Sequence, residues 1–279
     1  MAKLLQRYVE PARPCSYLAG ELASLESRVM VDVTVEEWES MLARGWRRFG
    51  PVYFRPRCAG CAECVPIRVP TASFSPSRSQ RRAMKACADV RVEVGVPRVD
   101  ETRLALYARW HSMREATRAW PSSRLDAETY AMEFAYPHPA AREVTFFVGD
   151  RLVGVALCDE TPNAWSAIYF YYDPDERARS LGTFDVLWQL AHAKARGLEH
   201  VYLGFRVMGC PSMRYKSAFR PHELLRGRPG DREAPDWAHA AEGQLHEHGA
   251  GTRVRPVSVA SSVNHVRLGC AFGVSTPLS

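Results

Sequence analysis

The chain has 279 residues, of which 46% are hydrophobic and 24% charged, with a formal net charge of +6. That length suits one large domain or two modest ones with a real core, and the composition excludes a disordered or fibrous protein. No apolar run approaches the ~18 residues of a membrane span. The start, MAKLLQRYVEPARPC, has no apolar leader, so a reducing cytoplasm is expected and no membrane partner. There the eight cysteines are thiols or metal ligands rather than disulfides.

The charge is unevenly placed. Between Arg44 and Arg91 stand eleven Lys and Arg against two acids, Glu63 and Asp89. Such a stretch is a footprint for a polyanion, most often nucleic acid, with a solvated basic surface as the alternative.

Three regions follow one another: residues 1–100 with the basic stretch and a cysteine cluster, residues 101–235, and a Gly-, His- and Ser-rich tail over 236–279 that is expected to be disordered. In the first, VEEWESMLAR (35–44) reads as an amphipathic helix with Thr34 as N-cap, Glu37 completing a capping box and Gly45 as the stop. GWRRFGPVYFRP and IRVPTASF read as strand segments on either side of the cysteines, and a basic helix starts at Ser77. In the second region a long helix is predicted over Glu101–Arg118 and another over Ala127–Tyr136. REVTFFVGDRLVGVALCDE is a hairpin turning at Gly149-Asp150, WSAIYFYYDP a third strand, ARSLGTFDVLWQLAHAKARG a helix and HVYLGF a fourth strand. SMRYKSAF closes the order as a short helix or turn. The expected class is α/β with a mixed sheet.

Four stretches carry chemistry. Cys58, Cys61 and Cys64 form C-x2-C-x2-C, a pitch suited to a structural zinc or an iron–sulfur cluster, with Cys15 the expected fourth ligand and Cys87 the other nearby thiol. Small buried apolar roles are the alternative. In SRSQRR, the arginines can hold phosphates or grip a carboxylate through paired N–H donors. In YFYYDP the period-2 rule sends some aromatics to the core and leaves Tyr172 and Asp173, at the strand's end, as site candidates. Arg179-Ser180-Leu181-Gly182-Thr183 opens a helix after a strand, a junction whose amides favour an anion. It resembles the Arg/Gln-x-x-Gly-x-Gly/Ala turn of the acetyl-CoA-dependent N-acetyltransferases, with Phe184 in the final small position.

PCSYL (14–18), RP-x-C-x2-C-x2-C-x-P-x-R (55–68), SRSQRR (77–82), LY-x-R (106–109), YYDP-x4-RSLGT (171–183), VYLGF (201–205) and M-x-YK-x-x-F-x-P-x-E (213–223) occur in that order. Together they resemble the bacterial aminoacyl-tRNA–protein transferases, over about Pro14 to Trp237. Departures from the family pattern stand at Ala19, Met113-Arg114-Glu115, Trp120-Pro121, Phe205-Arg206 and Ser212.

The resemblance implies an acetyltransferase (GNAT)-like mixed-sheet C-terminal domain beside a smaller cysteine-bearing N-terminal region. It implies transfer of leucine, with arginine as the alternative, from aminoacyl-tRNA to proteins beginning with Asp or Glu, which marks them for degradation. No organic cofactor and no covalent nucleophile are required, because the ester is already activated. Arg179, Gly182, Thr183 and Lys216 would hold the tRNA and donor, Arg78 or Arg81 the acidic acceptor side chain, and Tyr172 and Asp173 would serve the reaction, Asp173 by orienting the ammonium or accepting its proton. A monomer is expected. An acetyl-CoA-dependent N-acetyltransferase would explain the strand order but not the cysteines or the basic stretch. A non-enzymatic zinc-clip RNA-binding module would leave residues 140–220 without a role.

Overall fold

A computed structural model describes residues 1–118 and 125–240. The departure at Trp120-Pro121 and the tail from residue 241 onward lie outside the described residues. In chain order the elements are β1 (Lys3–Val9), β2 (Arg13–Pro14), β3 (Leu22–Ala23), β4 (Leu25–Val31), α1 (Val35–Ala43), β5 (Arg47–Phe49), β6 (Val52–Pro56), β7 (Val65–Pro70), α2 (Arg78–Ala86) and β8 (Val90–Gly95). There follow α3 (Glu101–Arg118), α4 (Ala127–Phe134), β9 (Ala141–Val148), β10 (Arg151–Glu160), β11 (Ala164–Tyr172), a 3-10 turn (Pro174–Arg179), α5 (Leu181–Ala195) and β12 (His200–Arg206). Helix α6 (Pro211–Arg214), a second 3-10 turn (Tyr215–Ala218), β13 (Glu223–Arg226) and β14 (Asp236–His239) complete the series.

The capping box expected at Thr34 forms, and α2 carries one that was not expected from the sequence. Thr34 Oγ1 accepts from Glu37 N at 3.2 Å and Glu37 Oε2 accepts from Thr34 N at 2.9 Å, so two orphan donors of α1 are satisfied reciprocally. Ser77 and Gln80 build the same box at α2. Gly45 follows α1 with φ +82°, and a Cβ there would stand 2.9 Å from both Leu225 and Pro66, so conformation and space both require glycine.

Eight strands make one mixed sheet in the order β14-β13-β7-β12-β11-β10-β9-β8. Only β11 and β12 pair in parallel, and α5 is the crossover that such a pair needs. Four strands, β1-β4-β6-β5, make a second, antiparallel sheet. One face of the large sheet packs on α5 through Phe146, Trp165, Leu187 and Leu190. The other packs on α3, α4 and the smaller sheet through Phe49, Phe54, Tyr107, Trp110, Tyr130 and Tyr171. The α/β class with a mixed sheet is as expected.

Two boundaries differ from expectation. The division at residue 100 cuts across the large sheet: β7 bonds to β12 on one side and β13 on the other, and β8 covers the edge of β9. The cysteine-bearing region is therefore not a separate body. The tail was expected from residue 236, but Asp236–His239 pairs with β13. Trp237 anchors it, donating to Ala43 O at 2.9 Å and meeting the Tyr202 ring edge-on at 5.5 Å.

Candidate functional site

The parallel pair β11–β12 is short. It runs from Ala164/His200 to Ser166/Tyr202 and stops, while β11 continues to Tyr172 and β12 to Arg206. Beyond Ser166 the strands part and a fork opens between them. Its closed end is held by Arg47, which donates from Nη1 to Ser166 Oγ at 2.9 Å and from Nη2 to the Ala167 carbonyl. On the β12 side Gly204 adopts φ +80° where the ladder to β7 is irregular. Lys216, from the turn after α6, donates to Phe205 O at 3.0 Å. A Cβ on Gly204 would stand 3.5 Å from Lys216 Nζ and 3.8 Å from Arg47 Nε, so both cations lie against the same glycine.

The two 3-10 turns bound the mouth of the fork, one after β11 and one after α6. Helix α2 lies across them. At its start Gln80 Nε2 donates to Ala218 O at 3.1 Å, two residues from Lys216. At its end Arg179 donates to Ala86 O at 3.3 Å and to Asp89 Oδ1 at 2.5 Å, and the Cys87 thiol meets Arg179 O at 3.4 Å. Arg179 also pairs with Glu176 at 2.7 Å. The expected phosphate ligand Arg179 is thus a tie between α2 and the entry of α5. Ser180, not a glycine, takes the left-handed conformation at that entry, with φ 59°. Gly182 and Thr183 occupy the first turn of α5, and Gly182 faces open space.

Tyr172 and Asp173 end β11 at the same mouth. The Tyr172 ring packs on Trp110 at 4.4 Å and on Phe170 at 5.6 Å. Asp173 is buried and accepts three hydrogen bonds beside a further ion-pair contact. Arg109 reaches both carboxylate oxygens at 2.9 and 3.2 Å, Asp175 N donates at 3.1 Å, and Arg151 pairs with Oδ2. A carboxylate offers about four lone-pair sites, so Asp173 is positioned here as a tether of β11 to α3 and β10. An amine would compete with these partners for the Asp173 carboxylate.

The basic stretch divides in the structure. Arg48 is buried and grips Asp159 through two oxygens, Nε to Oδ2 being 2.9 Å. Arg55 pairs with Glu26 at 3.0 Å, Arg57 with the same carboxylate at 3.9 Å, Arg68 with Glu223 at 2.6 Å and Arg91 with Glu93. Arg44 donates to Glu233 O at 3.0 Å. Arg78, Arg81, Arg82 and Lys85 stay exposed on α2, where Arg81 donates to the Pro76 carbonyl at 2.6 Å. The footprint for a polyanion therefore narrows to one helix on the rim of the fork.

Burial lowers Arg47 to about 10, with the neighbouring charge of Arg48 acting in the same direction and the field of Asp159 opposing. Burial and the charge of Arg47 bring Lys216 down to about 7. Lys216 was singled out from sequence, whereas Arg47 was counted only as one cation among eleven. Its one sequence signal is an arginine between Trp46 and Phe49 in a strand-like run.

The cysteines of the expected quartet gather in one neighbourhood. Burial, then Cys58, Cys15 and Cys61, push the Cys64 thiol up to about 12, so the four share one neighbourhood. Cys58 Sγ accepts from Ser24 N at 3.5 Å, Cys15 Sγ from Tyr17 N at 3.4 Å, and the Cys61 carbonyl from Arg228 at 3.0 Å. Among the described residues no three His, Cys, Asp or Glu side chains converge so as to hold a metal ion. The expected quartet does not fit a metal in this arrangement. The loop is pinned by hydrogen bonds to Ser24 and Arg228 instead.

Residues 13–82 match a family described as arginine-tRNA-protein transferase, N terminus, and residues 102–226 its C terminus. The chain is similar to an aspartate/glutamate leucyltransferase of Pseudomonas putida (strain W619), 39% identical over 225 residues, 79% of this chain and 94% of the relative. It is similar to another of that description from Pseudomonas fluorescens (strain Pf0-1), 38% identical with the same coverage. Among solved structures, the ribosomal-protein-S18-alanine N-acetyltransferase from Escherichia coli matches with a TM-score of 0.29 and 10% identity, over 40% of this chain and 64% of that one.

Proposed function

The chain belongs to the aminoacyl-tRNA–protein transferase family, and from that premise we propose that it moves leucine from Leu-tRNA to the α-amine of proteins beginning with Asp or Glu, marking them for degradation. The observation that carries the reading is the 39% identity to an aspartate/glutamate leucyltransferase across 94% of that relative's length. The enzyme works as a cytoplasmic monomer. Among the described residues no helix is long and apolar enough to cross a membrane.

The chemistry asks mainly for positioning. The leucyl ester on the terminal ribose is already activated, so no organic cofactor enters. The acceptor's α-amine, with a pKa of about 7.7–8.0 when free, has a usable neutral fraction near neutral pH. It attacks the ester carbon, a tetrahedral intermediate forms, and the ribose hydroxyl leaves with a proton as the new amide closes. Holding amine and ester in contact is worth several kcal/mol, on the order of the 7–11 available to well-oriented reactants. The fork supports this role, because beyond Ser166 the facing backbones of β11 and β12 do not pair with each other and can receive the aminoacyl end. Backbone amides there stabilise the oxyanion. The exposed cations of α2 meet the phosphates of the acceptor stem.

The test is transfer of label from Leu-tRNA or Arg-tRNA to peptides beginning with Asp, Glu, Lys or Ala. Label moving from Leu-tRNA to Asp and Glu peptides alone is expected. Transfer from Arg-tRNA would keep the mechanism and replace the donor, in line with the family description. Transfer from neither, by folded protein, would overturn the reading.

A further inference from the structure

The fork contains a charge arrangement that the transfer of an amino acid does not by itself require. Arg47 is 7% exposed and Lys216 partly so, with its amine crowded by protein. Among the described residues both donate to neutral acceptors: Arg47 to Ser166 Oγ and Ala167 O, Lys216 to Phe205 O and Met213 Sδ. Among the described residues neither stands within ion-pair distance of a carboxylate. The nearest acid whose field reaches Arg47, Asp159, is held by Arg48. Buried cations normally find an anion, because leaving a charge unpaired in a low-dielectric site is costly. Here two lie against the same glycine, Gly204.

We propose that Arg47 and Lys216 form a carboxylate pocket that receives the side chain of the acceptor's first residue, Asp or Glu. This rests on the leucyl-transfer reading and names the residues that would give it acceptor specificity. Low dielectric matters for selection. A guanidinium and an ammonium that are partly withdrawn from water discriminate a carboxylate from the isosteric amide of Asn or Gln, since an amide would leave both charges unpaired. Arg78 and Arg81, the cations expected from sequence to read this side chain, are exposed and offer only a screened attraction. An arriving carboxylate would also restore the full charge of Lys216, which burial and Arg47 hold down.

The experiment measures peptide binding without tRNA, by fluorescence anisotropy, on the full chain. Two labelled peptides differ only in their first residue, Glu or Gln. The native protein is expected to bind the Glu peptide at least about tenfold more tightly, the scale of one charge-assisted hydrogen bond. Lys216→Met is expected to bring the two within about twofold of each other, on the same scale, while Lys216→Arg keeps the preference. Lys216→Gln repeats the test should the Met variant fail to fold, and thermal melting reports folding for each. No preference in the native protein would overturn the proposal. A preference that survives loss of the amine would also overturn it. Weakened tRNA binding with the peptide preference intact would do the same and assign the pocket to an RNA phosphate. Because binding is read without transfer, failure of leucyl transfer and failure of this pocket are separate results.

Discussion

Arg47 and Arg48 on one side, and Arg78, Arg81, Arg82 and Lys85 on the other, come from the same basic stretch and have opposite fates. The first two are buried and held by partners more than a hundred positions away, at Ser166, Ala167 and Asp159. The other four stay on the exposed side of α2 and form no ion pair among the described residues. A charge count along the chain treats them alike. In the fold, the buried pair ties the two sheets together and charges the fork, whereas the helix presents its cations to whatever approaches the rim. Electrostatic reach into solvent belongs to the second group only, because exposed charges attract a distant polyanion and buried ones act over contact distances.

The largest effect expected from breaking this contrast is at Arg48. Arg48→Met leaves Asp159 buried without its partner, and urea unfolding should show a loss of about 3–5 kcal/mol. An unpaired buried carboxylate already exists for comparison. Asp185 is 3% exposed and its side chain accepts from Gln189 Nε2 at 2.7 Å, with burial raising it from 3.8 to about 7. Its folded value lies above its unfolded one, so the stability it contributes is fully present below about pH 4 and is lost as pH rises to about 7. The slope in that window is about 1.4 kcal/mol per pH unit. Unfolding curves of Asp185→Asn against the native chain should therefore diverge in the variant's favour across the window and run parallel above it. No divergence would show that the fold holds Asp185 ionised.

A smaller thermodynamic effect is expected at the exposed cations, with a different signature. Replacing Arg78, Arg81, Arg82 and Lys85 together by Gln should change folding stability little. The slope of log affinity for tRNA against log salt should fall by about 3, at roughly 0.7–0.9 per phosphate contact. The smallest effect sharpens the same point. Ser77→Ala removes the cap of α2 but none of its charge, and should cost about 1 kcal/mol of stability while leaving the salt slope unchanged in the folded protein.

Much of the local architecture was legible in the sequence. The capping boxes at Thr34 and Ser77 are short-range patterns, and α3 spans Glu101–Arg118 as predicted. The strand at β8 was missed although Val90, Val92 and Val94 alternate, and β1 was missed because most of its residues are exposed and it carries no hydrophobic face. The boundaries at 100 and 236 failed because strand pairing is long-range: nothing near β7 says that it will lie between β12 and β13.

The site was legible in part. Lys216, Gly182, Thr183 and Tyr172 do lie at the fork or its rim. Arg179 and Asp173 lie there too, but their charges are taken up by Asp89, Glu176, Arg109 and Arg151, partners that spacing alone does not reveal. Arg47 escaped notice because its importance depends on where the β11–β12 ladder stops.

Addition of leucine to an α-amine is the step on which the proposed function stands. The most direct measurement is the mass of a Glu-initiated peptide after incubation with the protein and Leu-tRNA, beside the same peptide with its N-terminus acetylated. The account predicts that the free peptide gains one leucine residue, located by fragmentation ahead of the glutamate, and that the acetylated one gains nothing. A mass gain on the acetylated peptide, or none on either, would contradict it.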